Sequence, residues 1–426
     1  MIKKIIKKII TLLLKWEARL ILRKYKPKII AVTGTVGKTS AKEAIALVMS
    51  QKFNVRKNEK SYNSDFGVPL TIIGSGSGWG SAFLWVKVLR KGLKVIFGKE
   101  EYPEWLILEM GVDRPGDMDR LVSWIKPDVG VITLVGETPV HVEYFRSPVE
   151  LASEKAKIIG ILNDEQYSIF NGDDIAMNDF KSKTKAKILT FGFLPENHLR
   201  ATSYSISPDG VIFKAEFRGN IVPVRLRNLF GRHHVYTALA ALAVGISQGL
   251  NFIEMAEQLS LFKSPPGRLN LLDGIKKTYI LDDTYNASPV ALSAAFDVLK
   301  DLPAKRKIAV VGDMLELGKF TIYEHKKAGA LALENKIDII FAVGPRMKFM
   351  AEEARELGFK EKNIFEFSTA DEAKMKLQEV IKEGDLILVK GSQAMRMEKI
   401  VEEIMAQPER KGDLLVRQED EWKKRR

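Results

Sequence analysis

The stretch KPKIIAVTGTVGKTSAKEAI, Lys26–Ile45, sets an apolar run, a glycine-rich turn and a helix-prone run in direct succession. IIAVTG reads as a buried strand and SAKEAIALVMSQKF as a helix, so the turn between them aims backbone N–H groups from the positive end of a helix. Gly34, Thr35, Gly37, Lys38, Thr39 and Ser40 fall in or next to that turn. The geometry suits a triphosphate: the Lys38 ammonium neutralises β- and γ-phosphate oxygens, and the Thr39 hydroxyl can ligate Mg2+. The spacing departs from the common phosphate loop, which has a glycine five places before Gly37, where this chain has Val32. On these residues alone, a glycine-rich strand-to-helix junction without a ligand stays open.

Outward from the loop, apolar runs alternate with helical stretches as far as Lys263. WLILEMG, VGVITLV, YSIFNGDD and AKILTFGF read as further strands of a mainly parallel sheet. Residues 201–228 alternate and turn at Pro208-Asp209-Gly210 and Gly219-Asn220, which predicts an antiparallel meander attached to that sheet. A helix is expected over Tyr236–Gln248. KSPPGR, Lys263–Arg268, reads as an interdomain linker, since two prolines interrupt structure between apolar segments. Beyond it TYILDD, KIAVVGD, IIFAVG and DLILVKG alternate with helical runs as a second α/β unit. The expected fold is therefore α/β throughout. It comprises a P-loop-type central ATP-binding domain over 27–263, a C-terminal Rossmann-like domain over 264–407, and a charged, frayed tail over 408–426.

Composition narrows the function. The chain has 426 residues and no cysteine, which excludes disulfides and cysteine-ligated metal and fits a cytoplasmic setting. The net charge of +13 invites a nucleic-acid reading, but residues 1–28 carry ten Lys or Arg against Glu17 alone, and Pro408 onward carries seven against five acids. Only +2 is left for the body, so no nucleic-acid groove is expected there.

The basic beginning has helical periodicity. Ile2, Ile5, Ile6, Ile9, Leu12, Leu13, Trp16 and Leu20 share one face; Lys3, Lys4, Lys7, Lys8, Thr11 and Lys15 share the other. The charge-free run Ile9–Leu14 is far short of the ~20 residues that span a bilayer. Two readings stand: a helix of residues 1–26 lying peripherally on the anionic inner face of the membrane, or one packed on protein.

TGTVGKTS, Thr33–Ser40, resembles position for position T-G-x-x-G-K-T-[ST], the shortened loop of the Mur ligases, ATP-dependent amide-forming enzymes of peptidoglycan precursor synthesis. The resemblance continues through separate motifs from about Pro27 to about Glu402. KSYNSDFGVPLTI is similar to the asparagine-rich stretch of the branch that adds D-alanyl-D-alanine, and implies that Asn63 lines the reacting carboxylate and phosphate. In LILEMGVDRPGDMDRL, Glu109 ends a buried strand and matches the family's Mg2+-ligating Glu. In VHVEYFRSPVELASEKAKII, His141 alone would be read as a structural residue, and Lys155 with Lys157 as a solvated helix face. The resemblance instead makes His141 a ligand of a second Mg2+. It also makes Lys155, fourteen places on, a lysine carbamylated by CO2 that presents oxygens to metal. Carbamylation inverts a charge that would otherwise repel two Mg2+ ions.

FGRHHVYTALAAL resembles the G-x-H-N-x-x-N helix start, but His234 and Thr237 occupy the asparagine places, which puts adenine contact at Thr237 in question. PPGRLN supplies Arg268 for phosphate. LDDTYNASP resembles D-D-x-Y-N-A-N-P, with Asp283, Tyr285 and Asn286 toward ribose and base and Ser288 replacing the second Asn. VVGDMLELG, His325, and KGSQAMRMEKIV with Lys390, Gly391 and Ser392 match the D-alanyl-D-alanine-adding branch on the substrate side.

The resemblance implies an ADP-forming ligation. A UDP-muramyl-tripeptide carboxylate is phosphorylated by ATP with Mg2+, and the D-alanyl-D-alanine amine then displaces phosphate. Family members carry an N-terminal domain that holds the UDP-sugar, whereas only the amphipathic helix precedes Pro27 here. The expectation is that a partner supplies UDP recognition, or that the acceptor is a different, lipid-linked or non-muramyl carboxylate. A nucleotide-binding scaffold without catalysis is the third reading, and the set Lys38, Thr39, Glu109, His141 and Lys155 argues against it.

Overall fold

The computed structural model describes residues 2–59, 62–78, 81–207, 209–419 and 422; the side chains of 2–5 and of 178 lie outside the description. Lys60, Ser61 and Pro208 of the motifs above, and the apolar side chains of Ile2 and Ile5, therefore fall outside the described residues.

The first unit is a nine-stranded sheet in the order β2-β3-β1-β4-β5-β6-β7-β8-β9. After helix α1, Ile2–Tyr25, come β1 Lys28–Thr33, α2 Lys38–Met49, β2 Val55–Lys57, α3 Gly67–Ile73, α4 Ala82–Phe97, β3 Trp105–Glu109, α5 Asp117–Val122 and β4 Val129–Ile132. Next are α6 Pro148–Gly160, β5 Tyr167–Asn171, β6 Lys187–Gly192, β7 Leu199–Ser207, β8 Gly210–Phe217, β9 Asn220–Arg227, α7 Arg232–Ser247 and α8 Phe252–Leu259. Strands β2 to β7 pair in parallel, and β7-β8-β9 form the antiparallel meander. The β1 run is buried from Ile29 to Thr33, as a strand covered on both faces must be. On one face α2, α7, α8 and the meander close one core; on the other α1, α3, α4, α5 and α6 close a second.

The second unit is a six-stranded sheet, β10-β11-β15-β12-β13-β14. Its elements are β10 Asn270–Gly274, β11 Thr278–Asp283, α9 Pro289–Asp301, β12 Arg306–Gly312, α10 Thr321–Glu334, β13 Ile339–Val343, α11 Lys348–Glu356, β14 Ile364–Phe367, α12 Ala370–Val380, β15 Asp385–Lys390, α13 Glu398–Ile404 and α14 Lys411–Leu414. Only β10 runs antiparallel to its neighbour. Helices again cover both faces.

Three features differ from the sequence reading. Helix α1 buries Leu14, Glu17, Ala18 and Ile21 against α3 and α4, whereas Ile6, Ile9, Leu12, Leu13 and Trp16 of the expected apolar face point outward. The helix has two apolar sides, and the side with the smaller Ala18 allows close helix contact. The tail is not frayed at its start. Leu415, Val416 and Arg417 are buried, and the Arg417 guanidinium donates to Tyr285 O at 3.0 Å and to Glu398 Oε2 at 2.7 Å. The third is α4, to which the sequence reading assigned no element; its N-cap is Ser81, whose Oγ accepts from Leu84 N.

Candidate active site

The loop after β1 is held by the strand beside it. Gly34 has φ 145°, and a Cβ there would stand 2.0 Å from Thr133 Oγ1, so the chain can pass only as glycine. The N–H groups of Thr35 and Val36 donate to Leu134 O at 2.8 and 3.0 Å, and Thr133 Oγ1 donates to Val36 O at 2.7 Å. Gly37, φ 84°, then opens α2, leaving the first-turn N–H groups without intrahelical acceptors at the cleft. The Lys38 Nζ bends back to Gly34 O at 2.9 Å and Thr35 O at 3.2 Å. Burial lowers its pKa, and Glu109 opposes that shift.

Glu109, at the end of β3, is buried beside the loop. Thr39 Oγ1 donates to its Oε2 at 3.0 Å and Asn63 Nδ2 donates to its Oε1 at 3.1 Å. Its backbone N–H donates to Asn58 Oδ1 at 2.6 Å, and the buried Lys42 Nζ donates to Asn58 O at 2.6 Å. Asn58 and Lys42 thus fix the carboxylate's strand end. They were not singled out in the sequence, where Lys42 reads as an ordinary helix lysine.

His141 sits in a left-handed turn, φ 71°, with Nδ1 2.7 Å from Glu316 Oε2 and Nε2 3.4 Å from Asp113 Oδ1. Glu316 belongs to the second unit, so this contact joins the two. The His141 ring beside it holds the Glu316 carboxyl below the usual carboxylate range. Asp113 and Glu316 are cleft residues that the motif reading quoted without assigning a role. Lys155 projects from α6, which Ser147 caps by accepting from Glu150 N at 3.2 Å with Pro148 in the first turn. Its ammonium is buried; burial and the nearby Lys38 charge bring its pKa down to about 7.

From the second unit, Arg268 reaches the loop. Its Nη2 donates to Thr39 Oγ1 at 3.5 Å, and its guanidinium stacks 3.9 Å from the Tyr285 ring centre. The buried Lys390 Nζ donates to Asp283 Oδ2 at 2.6 Å and to Asn286 O at 2.9 Å. Ser392 lines the cleft, and its Oγ accepts from Leu315 N at 2.9 Å. Thr237 also lines it, with its hydroxyl donating to His233 O at 3.0 Å, beside a His233 ring whose two nitrogens have no hydrogen-bond partner. Ser288, in the asparagine place, caps α9 by accepting from Ala291 N at 3.2 Å. Three expected site residues are not on the cleft wall. Gly34 is packed against Thr133. Lys155 lies behind it on α6. His325 is buried on α10, with Nε2 accepting from Met314 N at 3.1 Å and Nδ1 2.6 Å from Thr321 O, so its ring braces the 313–317 loop.

The loop from Thr35 to Ser40, Glu109, His141, Arg268, Asp283, Tyr285 and Lys390 border a cleft of about 940 Å3 between the two units. The described residues contain no group of three or more His, Asp or Glu arranged around one metal position. The donors do suit Mg2+, which takes one or two protein oxygens and completes its shell with water and phosphate: the Thr39 hydroxyl and Glu109 carboxylate converge at 3.0 Å beside a phosphate-type loop.

Residues 92–245 match the Mur ligase middle domain, and residues 267–393 match the Mur ligase glutamate ligase domain. The chain is 30% identical, over 92% of its length and 79% of the relative's, to the UDP-N-acetylmuramoyl-tripeptide--D-alanyl-D-alanine ligase of Bacillus subtilis. This chain belongs to the Mur ligase family. The Escherichia coli ligase of the same description is 29% identical over 88% of this chain and 76% of its own. The crystal structure of MurF ligase from Thermotoga maritima in complex with ADP superposes with a TM-score of 0.76 at 26% identity, covering 92% of this chain and 82% of that one. No described helix is long and apolar enough to cross a membrane.

Proposed function

We propose that this protein is an ATP-dependent, ADP-forming ligase that adds D-alanyl-D-alanine to the terminal carboxylate of a UDP-N-acetylmuramoyl-tripeptide. The observation that carries the reading is the convergence on one cleft of the β1–α2 loop, the Thr39–Glu109 pair and Arg268 from the other unit, in a chain whose relatives bear that activity in their names.

In the proposed reaction a carboxylate oxygen attacks the γ-phosphorus of ATP and ADP leaves. The amine nitrogen then attacks the acyl carbon, the amide bond forms, phosphate departs with the former carboxylate oxygen, and the amine gives up its proton. Two Mg2+ ions would spread charge on the transferring phosphoryl group. Thr39 and Glu109 would hold one and His141 the other. Lys38 exchanges its two carbonyl acceptors for phosphate oxygens, and Arg268 adds a planar donor fork from the opposite wall. Asn63 steadies Glu109 next to the reacting carboxylate. Gly34, Thr35, Gly37 and Ser40 shape the phosphate cradle, while Thr237, Asp283, Tyr285 and Asn286 receive the nucleoside. Lys390 and Ser392 border the end of the cleft where the amine would enter. Lys155, its amine partly uncharged near neutral pH, attacks CO2; an N–C bond forms, a proton leaves, and an anionic carbamate replaces a cation.

A second reading keeps the ligation and changes the acceptor to a membrane-linked carboxylate. The outward apolar stripe of α1, Ile6 to Trp16, favours it, and with it peripheral contact of α1 with an anionic membrane. Phosphate release is measured with ATP, Mg2+ and bicarbonate, adding UDP-muramyl-tripeptide and D-alanyl-D-alanine singly and together. Release only with both supports the first reading, and release only with a different acceptor supports the second. No release with any acceptor would leave a nucleotide-binding scaffold.

A further inference from the structure

Helix α4 repeats on its outer side what α1 shows on its own. Phe83 is 78% exposed and Phe97 80%, and Val86 and Leu93 lie between them at helical spacing, with Arg90 in the same stripe. On α1, Ile6, Ile9, Leu12, Leu13 and Trp16 form the matching stripe, Leu12 at 60% exposure. The inner sides of both helices are spent on each other and on the sheet: Leu14, Ala18 and Ile21 of α1, and Trp85, Val88 and Val95 of α4, belong to one core.

The pair is tied as a unit. A Cβ on Gly92 would stand 2.1 Å from Glu17 Oε2, so glycine is what lets α4 pack closely there. The Lys24 Nζ donates to Val95 O at 3.1 Å and Ile96 O at 2.8 Å, and Tyr25 Oη donates to Val95 O at 3.0 Å. Charge on the two helices is of one sign. Eight Lys or Arg lie on α1 and four on α4. The single acid, Glu17, is buried between them, and burial pushes its carboxyl up to about 7. Beyond the end of α4, Glu100 pairs with Lys94 at 2.7 Å.

We propose that α1 and α4 together form an interfacial surface that lays this protein on an anionic lipid bilayer. The proposal rests on the α1 membrane reading above and extends it to a helix of the middle unit. Apolar side chains enter the headgroup boundary while the exposed Lys8, Lys87 and Arg90 face lipid phosphates, the arrangement of helices that lie in an interface rather than cross it. A second copy of the chain is disfavoured as the occupant, because self-contact would set the cations flanking the stripes, Lys8, Lys87 and Arg90 among them, against their like.

The test is co-sedimentation of the full chain with phosphatidylcholine vesicles, with and without phosphatidylglycerol. Wild type is expected to bind the anionic vesicles and lose binding as salt rises. Phe83→Asp with Phe97→Asp, and separately Ile9→Asp with Trp16→Asp, should each reduce that binding roughly tenfold or more, with phosphate release from soluble substrates unchanged. If only the α1 pair detaches the protein, the α1 reading stands and the two-helix surface is overturned; if neither does, both fall. Equal binding to neutral and anionic vesicles, or a stripe variant that changes oligomeric state instead of vesicle binding, also overturns it. Should a double variant fold poorly, the chain's lack of cysteine allows a second measurement. An environment-sensitive dye on Phe97→Cys should shift to the blue on anionic vesicles, and no shift refutes the proposal.

Discussion

Lys155 is where a single residue's environment decides its chemistry. A lysine on a helix in VELASEKAKII is unremarkable as sequence, and Lys157, two places on, is half-buried and paired with Asp119 and Glu154. What sequence does not contain is burial, which takes Lys155 from an ordinary 10.5 to about 7. At fixed dissolved CO2 the free amine, and with it carbamate, should rise as pH passes through about 7. A 13C spectrum of protein equilibrated with labelled CO2 should show that rise, and Lys155→Ala should lose the signal together with about 10²-fold or more of kcat. Without CO2 the fold disfavours the charged form. Below about 7 folded and unfolded chains both hold the proton, and above it the unfolded chain holds more, so stability from this residue rises between about 7 and 10.5. Arg268 is a second test at this scale. Arg268→Lys keeps the charge but loses the fork and the stack on Tyr285, and kcat should fall roughly 10- to 100-fold.

At the scale of elements, the β1–α2 loop was legible because its parts are local: an apolar strand, glycines at a turn, a helix start. The partner that makes Gly34 obligatory, Thr133 just past the neighbouring strand, is 99 residues away and was not. Gly34→Ala should cost about 1–3 kcal/mol of stability, because it combines a positive φ with a clash, and ATP binding by calorimetry should fall further than melting does. The same limit explains α1. Its periodicity was evident, but a helix with two apolar sides does not announce which one the sheet covers, and the packing at Gly92 against Glu17 settles it. Gly92→Ala should lower the melting temperature by the equivalent of about 1–3 kcal/mol of overpacking. His325 is the converse case. The motif reading set it on the substrate side, yet both ring nitrogens meet backbone, so it shapes the loop carrying Glu316 without lining the cleft.

At the scale of the molecule, the two sheets could be read from alternating patterns, while the contacts that close the cleft could not. Glu316 and His141 come from different units, and Gly318 approaches Glu143, where a Cβ would stand 2.8 Å from the Glu143 Cβ. Local composition carries no trace of such pairs. Because His141 holds the Glu316 carboxyl low, the contact contributes at neutral pH and is lost as pH falls through the carboxylate range. Glu316→Ala should therefore enlarge the radius of gyration in solution scattering and raise KM for ATP; an unchanged radius would mean that the contact does not hold the units together. In the proposed reaction Arg268, set against the loop, serves the passage of a phosphoryl group from ATP to a carboxylate within the cleft. The direct measurement starts from UDP-muramyl-tripeptide labelled with 18O in its terminal carboxylate, ligated to D-alanyl-D-alanine by the protein. One labelled oxygen per turnover in the released phosphate is the predicted result, and phosphate free of label would contradict ligation through an acyl phosphate.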